Sequence, residues 1–212
     1  MKYFFNSVFC FLLIIGCSKE SDTSGKQQDN QKHEITADGT PHQLDLEKSK
    51  IYWLGKKVTG EHSGEILLKS GTVQMVDGRV VSGSFVVDMT TITNTDIENP
   101  EYQAKLESHL KSDDFFSVEN HKEAIFLMTK VSETAKNEYS FSGDLTIKGI
   151  THSITFPGSI NKNDDGTYTA GAKAGIDRTL WDVRYGSGKF FEDLGDKMIF
   201  DNIDLTLDLT TK

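Results

Sequence analysis

Cysteine is almost missing from this chain. Its two cysteines, Cys10 and Cys17, both sit near the N-terminus. From Ser18 onward no disulfide can form, and no thiolate can serve as nucleophile or metal ligand. The stability of that long remainder must come from packing alone. Proline is scarce too: 3 prolines stand against 18 glycines, a balance suited to many tight hairpins. Basic charge is in deficit, with 23 Lys and Arg against 32 Asp and Glu, a net charge of −9. With no basic stripe to meet phosphates, nucleic acid is excluded as a partner. The acidic residues are spread along the chain and serve solubility. At 212 residues the chain is long enough for one sizeable domain.

Signals for chemistry are equally sparse. The histidines His33, His42, His62, His109, His121 and His152 form neither an HxH nor an HExxH pair, so zinc has no local support. Asn161-Lys162-Asn163-Asp164-Asp165-Gly166 opens like a calcium loop. Its twelfth position is Ala172, where a bidentate acid is required, so Asp165-Gly166 reads as a hairpin turn. Gly186-Ser187-Gly188-Lys189 is no phosphate loop, because Val183 stands at the first glycine and Phe190 replaces the Ser or Thr. No GxSxG elbow is present. A small hydrolase or isomerase built on His62 or His109 would lack a nucleophile. No catalytic residue and no metal ligand are assigned.

The N-terminal region reads as a targeting segment. Lys2 precedes an apolar run, residues 4–15, that is too short to span a bilayer comfortably. It ends in Leu13-Ile14-Ile15-Gly16-Cys17, which looks like a bacterial lipobox. The expectation is a signal peptide over residues 1–16 and acylation of Cys17. A flexible polar tether over 17–43 and one folded domain over 44–212 follow. The protein would then be lipid-anchored in the bacterial envelope, on the periplasmic face of a membrane or on the cell surface.

The rest is dominated by period-two alternation. In Gly143-Asp144-Leu145-Thr146-Ile147-Lys148-Gly149-Ile150-Thr151-His152 the alternation runs through a two-residue turn, Lys148-Gly149. That turn sets Ile147 opposite Ile150, Gly143 opposite Ile154 and Phe141 opposite Phe156 on one apolar face. Further strands are expected at 51–54, 62–69, 72–76, 79–87, 124–131, 138–147, 150–160, 167–176 and 199–209. Asp77-Gly78 forms a hairpin turn, and Val81, Gly83, Phe85 and Val87 share one face. One helix interrupts the series: Asn99 caps it, Pro100 takes its first position, and Tyr102, Leu106 and Leu110 share a face. An antiparallel meander of this kind closes into a barrel or folds into a sandwich.

Five motifs in order resemble the YceI family of bacterial envelope proteins. They are Gly60-Glu61-His62-Ser63-Gly64, Gly83-Ser84-Phe85-Val86-Val87-Asp88-Met89, the stretch from His109 through Phe115-Phe116, the hairpin from Gly143 to Thr151, and Asp177-Arg178-Thr179-Leu180-Trp181 through Tyr185-Gly186. The resemblance covers residues 44–209. It implies an all-β, lipocalin-like, antiparallel eight-stranded barrel with one α-helix inserted after the first strands. It also implies a homodimer that is not an enzyme. The implied ligand is a long amphiphile in the barrel, such as a polyisoprenoid, an isoprenoid quinone or a fatty amide, with no other cofactor.

On that reading the wall is expected from Trp53, Phe85, Phe115, Phe116, Phe141, Leu145, Ile154, Phe156, Trp181, Tyr185, Leu205 and Leu207. Ile203 is expected to point inward with them, and Phe115 and Phe116 to plug one end. His62 and Arg178 are head-group candidates, although each also suits a structural role. Gly83 and Gly143 on the inward face predict empty space, and His152 is expected at the rim. An eight-stranded barrel can also be filled by its own side chains. The competing reading is therefore an envelope interaction module with no ligand.

Overall fold

The structure is a computed structural model and describes residues 39–212. The expected signal peptide, Cys17 and nearly all of the expected tether lie outside the described residues. Strands run in the order β1 (Thr40–Gln43), β2 (Lys50–Lys57), β3 (Gly60–Val76), β4 (Arg79–Asn94), β5 (Glu123–Ala135), β6 (Glu138–Ile147), β7 (Ile150–Lys162), β8 (Tyr168–Asp177) and β9 (Ile199–Thr210). Helix α1 (Pro100–Lys111) joins β4 to β5.

All neighbours are antiparallel, in the order β1-β3-β2-β9-β8-β7-β6-β5-β4, and β3 also pairs with β4 to close the sheet. β1 and β2 lie on the same edge of β3, at Thr72–Met75 and at Gly60–Ile66. β2 pairs on its other side with β9, and Leu44 continues that ladder by bridging to Thr211. β1 and β2 are therefore one barrel position interrupted at residues 45–49, and the barrel is eight-stranded. The interruption is self-satisfied. Asp45 accepts from the Glu47 and Lys48 amides at 3.1 and 3.3 Å, and buried Ser49 exchanges hydrogen bonds with the Thr210 backbone.

The hairpin read from sequence has the expected register: Ile147 faces Ile150, Gly143 faces Ile154 and Phe141 faces Phe156. Lys148 and Gly149 take φ of 51° and 73°, the left-handed pair of a type I′ turn that matches strand twist. The helix also starts as expected. The Asn99 side chain accepts from the Glu101 and Tyr102 amides at 2.9 and 3.2 Å, which satisfies donors that the first turn leaves unpaired.

Four expectations need correction. Residues 40–43, expected within the tether, form β1 and pair with β3. Residues 62–76 form one strand, not two; Ser70-Gly71 falls at a register shift inside β3. A second shift near Gln74 turns Val80, not Val81, inward at the start of β4. Tyr102 is 66% exposed, so only Leu106 and Leu110 of the helical face pack on the barrel.

The two barrel ends differ. Short turns at 77–78, 136–137 and 163–167 cap one end, where Gly39 also enters. The other end carries α1, the 148–149 turn and the long segment 178–198. They are called below the turn end and the helix end.

Candidate functional site

The inward side chains do not meet in the middle. They enclose a cavity of about 280 Å³ with an almost wholly apolar wall. Large residues cover most of that wall: Phe85, Phe126, Phe141 and Phe156 lie against one another across β4–β7, with ring centres 5.5–6.2 Å apart. The inward row of β8 runs Tyr168, Ala170, Ala172, Ala174 and Ile176, and each of its three central alanines is paired with a leucine of β9: Leu209, Leu207 and Leu205. Three methyl groups in a row, where a packed barrel would carry branched or aromatic side chains, leave the space unfilled. At about 10–15 Å³ for each water-sized group, the cavity has room for roughly twenty methylene-sized groups.

Of the twelve wall residues expected from sequence, ten line this cavity: Trp53, Phe85, Phe115, Phe116, Phe141, Leu145, Ile154, Phe156, Leu205 and Leu207. Ile203 lines it as well. Trp181 and Tyr185 do not. Trp181 is 1% exposed and packs below the helix end, its indole N–H donating to the Leu145 carbonyl at 3.0 Å. Tyr185 lies outside, edge-on to His109 and beside Phe115. His152 packs edge-on against Trp181 and contacts the Leu180 carbonyl at 2.9 Å, away from the cavity.

The glycines do not make the space. A Cβ on Gly143 would collide with the Phe126 ring and the Leu127 carbonyl, and one on Gly83 would meet the Phe85 ring. Neighbouring rings already fill both gaps. Sequence reading missed the alanine row, Phe126, and the β3 residues Ile66, Leu68, Val73 and Met75. The alternation of β8 was a usable signal, because its three central inward positions are alanine, between Tyr168 and Ile176.

A buried cation braces the helix end. Arg178 is 1% exposed and opens the 3₁₀ turn Arg178–Trp181, which Asp177 caps. Its guanidinium donates to the carbonyls of Val183 (2.8 Å), Ile199 (3.1 Å) and Phe200 (3.3 Å), lies over Phe115, and has Asp201 at 3.6 Å. Burial lowers its pKa, opposed by the charges of Asp201 and Asp177. It touches the cavity wall, but these contacts tie together the 178–183 turn and the start of β9.

Beside these contacts the β2–β9 ladder carries a seam, a register shift between Gly55 and Lys57. Gly55 pairs with Ile203 and Lys57 with Ile199, so Lys56 alone spans Phe200–Asn202 of β9. Arg178 holds the carbonyls of Ile199 and Phe200 beside this shift. Lys56 and Phe200 are the exposed residues of the cavity lining, so the cavity meets solvent here. His62, also in the lining and half-buried, holds its Nδ1 2.9 Å from Asp96. Burial would raise the Asp96 pKa, but the Ser63 amide and the His62 and Asn94 side chains hold it below the ordinary carboxylate value. Among the described residues no cluster of three His, Cys, Asp or Glu is arranged to hold a metal ion.

The YceI-like domain matches this chain over residues 42–211. A UPF0312 protein of Pseudomonas putida is 33% identical over 76 residues, 36% of this chain and 39% of that protein. A UPF0312 protein of Pectobacterium atrosepticum is 33% identical over 91 residues, 42% of this chain and 45% of that one. The chain thus spans less than half the length of these curated relatives. Among solved structures, Burkholderia cenocepacia BcnA superposes with a TM-score of 0.64 at 22% identity, covering 80% of this chain and 99% of that one. A polyisoprenoid binding domain from Saccharophagus degradans, implicated in plant cell wall breakdown, superposes at 0.61 with 13% identity, covering 81% and 97%. At these identities the structures share the fold.

Proposed function

The chain belongs to the YceI-like domain family, and from that premise we propose that its barrel binds the apolar tail of a long amphiphile of the isoprenoid type. The observation that carries this reading is the cavity of about 280 Å³ with its apolar wall. A barrel serving only as an interaction module has no use for three inward alanines opposite an aromatic wall. The polyisoprenoid binding domain of Saccharophagus degradans, of the same fold, supports the ligand class. A tail of roughly twenty carbons matches the room inside, and a longer ligand emerges at the seam.

The polar head stays at the mouth, because the wall offers it no partner. His62 is the favoured head-group contact: Asp96 orients its Nδ1 and leaves Nε2 for the ligand. Arg178, committed to three carbonyls, serves the fold first. The role is carriage, scavenging or protection of such a lipid, without a chemical step. An acylated Cys17 would hold the barrel to the bacterial envelope, and the family resemblance favours a homodimer.

Organic extraction of the purified full-length chain, followed by mass spectrometry, tests the reading. The expected result is an amphiphile with a long prenyl or acyl tail, close to one per chain. Extracts that stay empty after expression in a lipid-replete envelope would overturn it.

A further inference from the structure

The helix end carries apolar surface that the fold does not use. Val58, Phe190, Phe191 and Phe200 are each 44–49% exposed. Backbone contacts bring their segments together. The Val58 amide donates to the Met198 carbonyl at 3.1 Å, the Ile199 amide donates to the Gly186 carbonyl at 2.8 Å, and in the turn that follows Gly186 the Phe190 and Phe191 amides both donate to the Ser187 carbonyl at 3.1 Å. Lys189 reaches Asp177 and Asp201, which pins the aromatic pair beside the start of β9, where Phe200 is the second residue. Arg184 lies over the Phe190 ring at 4.9 Å. The parted β2–β9 seam opens at the same end, and Phe200 belongs both to the cavity lining and to the exposed set.

We propose that this end of the barrel is a bilayer-docking face: Val58, Phe190, Phe191 and Phe200 enter the membrane interface and set the β2–β9 seam against the lipid. The proposal rests on the reading that the cavity takes an amphiphile's tail. Such a tail dissolves poorly in water, so it must arrive from a bilayer. A second copy of the chain seated on this face would stopper the seam, whereas a bilayer would supply it. Aromatic side chains suit the apolar–polar boundary of a membrane. Charge does not oppose the approach. The chain carries −9 overall, but across residues 56–58 and 177–201 the six cations Lys56, Lys57, Arg178, Arg184, Lys189 and Lys197 balance the six acids Asp177, Asp182, Glu192, Asp193, Asp196 and Asp201.

The length of the N-terminal segment allows the orientation. Gly39 enters at the turn end, beside Met75, so an anchor at Cys17 attaches to the opposite end of the barrel. The 22 residues from Cys17 to Gly39 reach up to about 75 Å when extended. The 17 residues of β3 span about 56 Å along the strand, and less along the barrel axis once tilted. The tether can therefore lower the far end onto the same membrane.

Tryptophan insertion tests this without any ligand. Phe191→Trp and, at the turn end, Val76→Trp are each placed in the full-length chain on vesicles of phosphatidylcholine with brominated acyl chains. Fluorescence of the parent, from Trp53 and Trp181, is subtracted. The expected result is a blue shift and strong quenching of the Phe191→Trp signal, with Val76→Trp near the parent. A second variant, F190S/F191S, should slow the uptake of a fluorescent prenol from vesicles several-fold while leaving its affinity in detergent unchanged. Absent quenching at Phe191→Trp, or quenching as strong at Val76→Trp, overturns the proposal. So does a Phe191→Trp signal blue-shifted without vesicles that reverts on dilution, which assigns the face to a second copy. Empty extracts with Phe191→Trp still quenched would reject the ligand and keep the docking face.

Discussion

Filling the alanine row should separate cavity from core. Ala172 lies mid-strand in β8, opposite Leu207, with its methyl group on the cavity. Ala172→Phe adds six carbon atoms. At about 10–15 Å³ each they remove roughly 60–90 Å³ of the 280 Å³, or up to a third of the space. In a packed core the same insertion costs about 1–3 kcal/mol through off-rotamer side chains and backbone shifts. Here the ring enters empty apolar space, so folding should gain up to about 1 kcal/mol of buried area instead. For a domain of this size that raises Tm by about 2–4 °C. Binding moves the other way. Six ligand atoms displaced at about 0.3 kcal/mol each lose about 1.8 kcal/mol, or roughly 20-fold in Kd. Differential scanning fluorimetry of the delipidated chain and titration with a fluorescent long-chain probe read the two effects. A fall in Tm of several degrees with Kd unchanged would mean that residue 172 sits in packed core, and the cavity argument would fail.

Other perturbations probe the frame around the cavity. Arg178→Met strands three carbonyls and leaves Asp201 without its buried partner, which should cost about 3–5 kcal/mol in urea unfolding. Arg178→Lys should recover little, because an ammonium cannot span the same fork. Gly143→Ala drives a methyl into the Phe126 ring and should lose about 1–3 kcal/mol, opposite in sign to Ala172→Phe. Acid should weaken the fold through Asp96 and Asp177. Burial alone would raise both pKa values, yet Ser63, His62 and Asn94 at one, and Lys189 and Thr179 at the other, hold them below the ordinary value. Because the folded pKa lies below the unfolded one, the stabilisation is complete above about pH 4 and is lost as pH falls through the folded values. The urea midpoint of the parent should therefore drop at low pH more than that of D96N/D177N.

Much of the barrel was legible because period two and turn chemistry are local. Lys148-Gly149 fixed the β6–β7 register by itself, and Asn99-Pro100 fixed the start of α1. What failed depends on partners distant in sequence. Gly143 shows a missing side chain but not the Phe126 ring from β5 that covers it. Ser70-Gly71 looks like a turn, yet β3 runs through it because β1 and β4 both pair with that half of the strand. Trp181 and Tyr185 looked equivalent. Asp182 takes φ of 58° between them and turns the chain, sending Trp181 into the plug and Tyr185 to the outer face. The seam at Lys56 could not be read at all, because it is a register shift between β2 and β9, strands from opposite ends of the folded segment.

Native mass spectrometry of the purified full-length chain, run beside A172F, bears most directly on whether the barrel holds a lipid tail. The parent should carry one amphiphile adduct per chain, released by mild activation, and A172F should carry little or none. An adduct of equal occupancy in both, or in neither, would contradict a ligand seated between the β8 alanines and the aromatic wall.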